Sequence, residues 1–134
     1  MSAENVEIVK GIYHAFATGD VATVVGAMSP DIEWNEAENF PYSDGNPYRG
    51  PDAILGGVFA RLGADWDAFA VEPREFLDGG DTVVMTGRYT GTCKATGRPM
   101  NPWVAHFWTF EDGKAVQFQQ LVDTLAVARA VGSV

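Results

Sequence analysis

Residues 101–122 read NPWVAHFWTFEDGKAVQFQQLV, and this stretch decides the fold class. Two runs rich in β-branched and aromatic residues flank a short polar segment, a composition typical of adjacent strands. Asp112 and Gly113 lie in that segment, and a tight hairpin needs residues there that tolerate positive φ. The stretch therefore predicts an antiparallel hairpin.

Two further strand-like runs precede the hairpin, at residues 69–77 (FAVEPREFL) and 82–93 (TVVMTGRYTGTC). The segments DGGD and ATGRPM punctuate these runs with glycine, aspartate and proline, as turns do. The second half of the chain therefore predicts four consecutive antiparallel strands. After them, DTLAVARAVGS predicts a short helix with Asp123 as its N-cap and Gly132 as its end.

The first half of the chain carries mainly helical patterns. Residues 2–20 place apolar side chains along one helical face, and Asp20 then caps a short second helix. Pro51 suits the first turn of a third helix with an apolar stripe. Between the second and third helices, DIEWNE (residues 31–36) predicts a strand, and residues 37–50 predict a loop.

The order helix, helix, strand, helix and then antiparallel strands indicates the α+β class. We expect a cone-shaped, curved antiparallel sheet packed with three helices from the N-terminal half and a short C-terminal helix. Such a cone has an interior in which a small molecule can bind.

Length, charge and composition exclude several kinds of partner. The chain has 134 residues, 46% of them hydrophobic. This length and composition are sufficient for one domain with its own hydrophobic core, and we expect that domain to span residues 1–134. A formal charge of −9 repels nucleic acid and anionic lipid alike. Neither a signal peptide nor a membrane-spanning run is apparent, so we expect a cytoplasmic protein. No metal or cofactor motif is recognisable, and Cys93 is the only cysteine.

Four stretches together resemble the SnoaL-like branch of the nuclear transport factor 2-like superfamily, which includes ketosteroid isomerases and polyketide cyclases. They are Gly19-Asp20 after the first helix, DIEWNE, RGPDAI and EDGKAVQF. The resemblance implies a single SnoaL-like domain with a hydrophobic conical pocket, a homodimer, and proton transfer without a cofactor. The superfamily also contains dehydratases, epoxide hydrolases and proteins without known catalysis, so fold alone does not settle function.

The resemblance also carries functional residues onto this sequence. The isomerase general base falls on Glu36, and the oxyanion-hole tyrosine falls on Ile12, one step from Tyr13. The second oxyanion donor falls on Ala105, just before His106, and the acid/base aspartate of the cyclases falls on Gln120. The carboxylate is thus kept while these donors are replaced.

Glu36 is the first catalytic candidate, because strand alternation puts it on one face with Ile32 and Trp34. Desolvation among aromatic walls raises a carboxyl pKa and makes the group useful in proton transfer. The alternative is a carboxylate at the rim, solvated or paired with Arg49.

His106 is the second catalytic candidate, since it lies in the strand PWVAHFWTF. Both faces of this strand are apolar, so the direction of each side chain depends on register. If Ala105 faces the pocket, His106 faces outward toward a dimer contact.

The ligand-binding candidates are aromatic or amide side chains that either line a pocket or have a structural role. Tyr42 closes the mouth or anchors its loop, and Gln120 orients a carbonyl ligand or bonds to Glu36. The tryptophans and phenylalanines line a cavity or fill the core. The full set is Tyr13, Trp34, Tyr42, Phe59, Trp103 and Gln120.

Two classes of function follow. The first is a proton-transfer enzyme of the isomerase or cyclase type that acts on an apolar, carbonyl-bearing compound, with dehydratase and hydrolase chemistry as variants. The second is a non-catalytic module that binds a hydrophobic small molecule or mediates dimerisation.

Overall fold

The computed structural model describes residues 2–134. The helices are α1 (Ser2–Ala17), α2 (Val21–Gly26), α3 (Pro51–Ile54), α4 (Ala60–Asp65) and α5 (Thr124–Val131). The strands are β1 (Met28–Asn35), β2 (Tyr48–Arg49), β3 (Trp66–Gly79), β4 (Thr82–Cys93), β5 (Pro99–Met100), β6 (Trp103–Glu111) and β7 (Lys114–Val122).

The strands form one sheet in the order β2-β1-β7-β6-β4-β3, with β5 on the edge of β4. All neighbours run antiparallel except β1 and β7, which are parallel. The predicted α+β class with its curved sheet is confirmed. The hairpin turn between β6 and β7 contains Asp112 and Gly113 at φ values of 50° and 75°, as the sequence predicts.

Helix ends follow the predicted caps. The carboxylate of Asp20 accepts a hydrogen bond from the main-chain N–H of Thr23, and that of Asp123 accepts from Ala126. Gly132 ends α5 in the left-handed conformation at φ 82°. Asp123 is therefore a cap.

The third helical segment is not a uniform α-helix. A π turn at Leu55–Phe59 joins α3 to α4, and such turns insert one extra residue into a helix. Val58 and Phe59 follow each other in this turn, and both line the interior of the fold. The sequence pattern did not predict this turn.

The segment between β1 and the third helix is anchored by side chains. Tyr42 is buried, and its hydroxyl donates to Asp65 at 2.8 Å. The hydroxyl of Tyr48 donates to the carbonyl of Tyr42 at 2.7 Å. The same segment is also held by an ion pair, in which Nη1 of Arg61 lies 2.8 Å from Oδ1 of Asp44. These bonds support the loop-anchoring alternative for Tyr42.

No helix within residues 2–134 is long and apolar enough to cross a membrane.

Candidate active site

A cavity of about 50 Å³ lies between α1, the π turn and the inner face of the sheet. Its walls are aromatic and aliphatic and its surface is apolar, although Tyr13 of α1 and His106 of β6 are among the lining residues. Tyr13, Trp34 and Phe59, three of the predicted ligand-binding residues, line it together with His106. An engineered apolar cavity that binds benzene has a volume of about 150 Å³. A ring-sized ligand therefore requires these walls to move apart.

His106 lies between two tyrosine hydroxyls at the polar side of the cavity. Its Nδ1 is 2.5 Å from the hydroxyl oxygen of Tyr13, and its Nε2 is 2.6 Å from that of Tyr89. We call these three residues the tyrosine–histidine row. Tyr13 lies on helix α1, Tyr89 on strand β4 and His106 on strand β6.

Further buried donors complete both ends of the row. The indole N–H of Trp108 donates to the Tyr13 oxygen at 2.9 Å, and the side-chain amide of Gln120 donates to the Tyr89 oxygen at 2.8 Å. The amide oxygen of Gln120 accepts from the main-chain N–H of Ala37 at 3.0 Å. Within residues 2–134, no buried side-chain nitrogen or oxygen atom lacks a hydrogen-bond partner.

Burial keeps every member of the row uncharged near neutral pH. Desolvation lowers the pKa of His106 to about 3. The same cause raises the pKa of Tyr13 and of Tyr89 well above the ordinary value of a phenol. The row is therefore a chain of neutral donors and acceptors.

Glu36 follows directly after β1 and is fixed through its backbone. Its N–H donates to the side-chain oxygen of Asn46 at 2.9 Å, and the side-chain amide of Asn46 donates to the Glu36 carbonyl at 2.8 Å. The carboxyl group is buried, and the indole N–H of Trp34 donates to it at 3.0 Å. The predicted shared face of Trp34 and Glu36 is thus present.

Desolvation raises the pKa of Glu36 to about 7, although the Trp34 hydrogen bond and the positive charge of Arg61 act in the opposite direction. The rim alternative fails, because Arg49 pairs with Glu33 at 3.2 Å instead. Glu36 is not among the residues that line the cavity. Trp34 connects Glu36 to the cavity, because its indole lines the cavity and donates a hydrogen bond to the Glu36 carboxyl.

The sequence leaves the orientation of β6 open, and the structure places His106 on the inner face of the strand. Val104, His106, Trp108 and Phe110 are buried on the inner face, so His106 faces the cavity and Ala105 faces away. Trp103 was expected to line the pocket or fill the core and instead lies on the outer face with 51% of its surface exposed. The physical reason is that both faces of β6 are apolar, and pairing with β4 and β7 decides between them.

Two other candidates lie outside the cavity lining. Tyr42 is buried beneath its own loop, and Gln120 bonds to Tyr89 and Ala37 rather than to Glu36. Sequence reasoning missed Tyr89 altogether. The available signal was alternation in β4, because Val83, Met85 and Tyr89 share the buried face.

Among residues 2–134, no group of three or more histidine, cysteine, aspartate or glutamate side chains is arranged to hold a metal ion.

Solved structures with the same fold support a family assignment. An NTF2-like protein from Burkholderia thailandensis E264 is 40% identical, with a TM-score of 0.90 over 94% of this chain and 95% of its own. An NTF2-like protein of unknown function from Burkholderia pseudomallei K96243 is 28% identical, with a TM-score of 0.87 over 96% and 97% of the two chains. TerC, co-crystallised with polyporic acid, is 27% identical, with a TM-score of 0.85 over 96% and 98%.

Among curated proteins, no significant match to the sequence is found. The sequence model of the SnoaL-like domain matches residues 9–118. Because this match spans most of the chain, and the fold is that of the NTF2-like structures, the protein belongs to the SnoaL-like domain family.

Proposed function

We propose that the protein binds an apolar, carbonyl-bearing small molecule in the cavity and moves a proton on it without a cofactor, with Glu36 as the proton-transfer group. The observation that carries this proposal is the buried carboxyl of Glu36, hydrogen-bonded to Trp34 in the cavity wall. The co-crystal of TerC with polyporic acid supports small-molecule binding in a related chain.

The protonation state of Glu36 suits such a role. With a pKa of about 7, the carboxyl exists as acid and base in comparable amounts near neutral pH. A general acid or base is most effective when its pKa lies near the working pH. Since Glu36 is outside the lining, the reacting carbon reaches it only when Trp34 or its neighbours shift.

The row supplies the electrophilic side of the proposed reaction. Tyr13 lines the cavity, and a ligand reaches its hydroxyl, which is hydrogen-bonded to Trp108 and His106, once the walls move apart. A preorganised donor of this kind stabilises the negative charge that develops on a carbonyl oxygen. His106, with its pKa of about 3, is a poor base and orients Tyr13 instead.

The runner-up is a non-catalytic binding module, and the observation that favours it is the position of Glu36 outside the cavity lining. In that case the buried carboxyl and the row serve only to shape the interior.

Hydrogen–deuterium exchange at the α-carbon of cyclohexanone in D₂O, followed by NMR, separates the two functions. We expect the wild-type protein to accelerate exchange, with a rate that rises through pH about 7 as Glu36 ionises. Glu36→Gln should lose about 10²-fold or more of this rate. The control is Glu38→Gln, an exposed carboxylate two residues away, which should retain it.

Cyclohexanone binding without accelerated exchange would reject the enzyme and leave the binding module. If cyclohexanone neither binds nor exchanges faster, the proposed class of carbonyl-bearing ligands would be rejected. Loss of exchange in both variants alike would rule out a specific role for Glu36.

We propose further that the outer sheet face forms a homodimer. Trp103 and Leu121 are 51% and 50% exposed there, and the guanidinium of Arg88 stacks 3.8 Å from the centre of the Trp103 ring. Exposed aromatic and arginine side chains are typical of protein interfaces. Light scattering at micromolar concentration should show a dimer that Trp103→Glu dissociates; a wild-type monomer would contradict the proposal.

A further inference from the structure

Two groups that can only donate fix the hydrogen-bond directions at both ends of the tyrosine–histidine row. The indole N–H of Trp108 donates to Tyr13. At the other end, the main-chain N–H of Ala37 requires the amide oxygen of Gln120, so the amide nitrogen faces Tyr89 and donates to it. Each tyrosine oxygen therefore accepts one hydrogen bond before His106 is considered.

The row contains one polar hydrogen more than the hydrogen bonds between its three residues require. Its two hydroxyls and one neutral imidazole carry a hydrogen each, while the two contacts to His106 take only one hydrogen apiece. When His106 is protonated on Nε2, the extra hydroxyl hydrogen belongs to Tyr89. When His106 is protonated on Nδ1, it belongs to Tyr13.

The two positions of the extra hydrogen have different surroundings. At Tyr13 it lies next to the cavity, whose surface is apolar and offers it no acceptor. At Tyr89 it lies within the field of Glu36, whose negative charge opposes ionisation of that hydroxyl. Without a ligand oxygen near Tyr13, the Nε2–H tautomer of His106 is therefore favoured.

We propose that His106 is a positioning residue whose tautomer decides which tyrosine donates, so that a ligand oxygen beside Tyr13 selects the Nδ1–H form. In that form Tyr89 donates to Nε2, Nδ1–H donates to Tyr13, and Tyr13 donates to the ligand. One imidazole proton changes position and two O–H bonds rotate, so charge and proton number stay constant. The inference rests on the proposed binding of a small molecule in this cavity.

The proposal gives the cavity a chemical requirement. A ligand must present an acceptor oxygen, such as a carbonyl or an enolate, to Tyr13; a ligand of equal shape without that oxygen leaves the row in its Nε2–H form. Cyclohexanone and methylenecyclohexane form such a pair, because a CH₂ group replaces the oxygen.

The test is a titration of protein labelled with ¹⁵N in its histidine rings, using each compound in turn. Protonated and unprotonated ring nitrogens give distinct ¹⁵N signals, and the exposed His14 is identified by His14→Gln. We expect cyclohexanone to bind about tenfold more tightly than methylenecyclohexane, the effect of one hydrogen bond. Of the two compounds, only cyclohexanone should move the His106 proton from Nε2 to Nδ1. In Tyr13→Phe, the ratio of the two affinities should fall to about one.

Binding of both compounds with equal affinity, or with an unchanged His106 tautomer, would overturn this inference while leaving small-molecule binding intact. Persistence of the affinity ratio in Tyr13→Phe would also overturn it. Binding of neither compound would contradict the proposed function and the inference together.

Discussion

Glu36 at the end of β1 and His106 in the middle of β6 are two buried titratable groups in one interior, and burial moves their pKa values in opposite directions. The pKa of Glu36 rises to about 7, and that of His106 falls to about 3. In both cases desolvation disfavours the charged form. The interior therefore favours the neutral form of both groups. The hydrogen-bonding and charged partners of each group determine how far its charged form is disfavoured.

Those partners differ in kind. His106 contacts two uncharged hydroxyls, which serve a neutral imidazole well. Glu36 has the indole donor of Trp34 and the field of Arg61, both of which stabilise a carboxylate. Glu36 consequently keeps an accessible charged state near neutral pH, whereas His106 does not. This difference is why we assign proton transfer to Glu36 and positioning to His106.

The largest expected effect concerns His106. His106→Leu removes the partner that lies between two buried hydroxyls, and each hydroxyl left short of a partner costs about 2 kcal/mol. We expect the free energy of unfolding at pH 7 to fall by about 4 kcal/mol in urea titrations. A loss below about 1 kcal/mol would show that the hydroxyls find other partners.

The pH dependence of the same variant sharpens the comparison. The unfolded chain takes up a proton on His106 near its ordinary pKa of 6.5, and the folded chain only near 3. The contribution of His106 to wild-type stability therefore falls as pH falls from 6.5, by about 3 kcal/mol at pH 4, while Glu36 acts in the opposite direction. His106→Leu should lack this contribution, so the stability difference between the two proteins should shrink at low pH.

The second prediction has the opposite sign. Glu36 has its ordinary pKa of 4.5 when unfolded and about 7 when folded. Its contribution to stability is complete below pH 4.5 and is lost as pH rises through 7. Glu36→Gln stays neutral, so at pH 8 it should be more stable than wild type by about 3 kcal/mol, with no difference at pH 4.

Urea titrations across this pH range check the second prediction, with the exposed Glu38→Gln as the control that should follow the wild-type curve. A variant less stable than wild type at pH 8 would mean that the carboxylate of Glu36 is stabilising. The comparison between the two buried groups would then fail.

The third prediction concerns Gln120, which hydrogen-bonds to Ala37 next to Glu36 and to Tyr89 of the row. Gln120→Leu leaves the Ala37 N–H without its acceptor and should cost about 2 kcal/mol at pH 7. Gln117→Leu changes an exposed glutamine of the same strand and should cost less than about 0.5 kcal/mol. Equal losses from both would indicate that strand β7 tolerates no leucine, whatever the hydrogen bonds.

The sequence predicts the fold well because its signals are local. The Asp112-Gly113 turn, the caps at Asp20 and Asp123, and the helical and strand periodicities each depend on a few neighbouring residues. The π turn at Leu55–Phe59 has no comparable local signal, and the sequence pattern describes this segment as one continuous helix.

The site is harder to predict because it depends on register. Strand β6 is apolar on both faces, so only its pairing, with His106 opposite Met85 of β4 and Gln120 of β7, decides that the histidine faces inward. The row joins residues far apart in sequence, from Tyr13 to His106. The position of Glu36 was easier to predict, because Trp34 in β1 and Glu36 directly after this strand are only two positions apart.

The smallest expected effect tests whether Trp34 makes the two buried groups differ. Trp34→Phe keeps an aromatic wall but removes the indole N–H that stabilises the Glu36 carboxylate. Desolvation then acts with less opposition, so the pKa of Glu36 should rise above 7 by about one unit, the size of one hydrogen bond to a charged group. NMR titration of ¹³C-labelled glutamate carboxyls measures this shift. If the pKa instead stays unchanged or falls, the indole hydrogen bond does not stabilise the carboxylate, and the charged state of Glu36 depends on Arg61 or on hydration of the carboxyl.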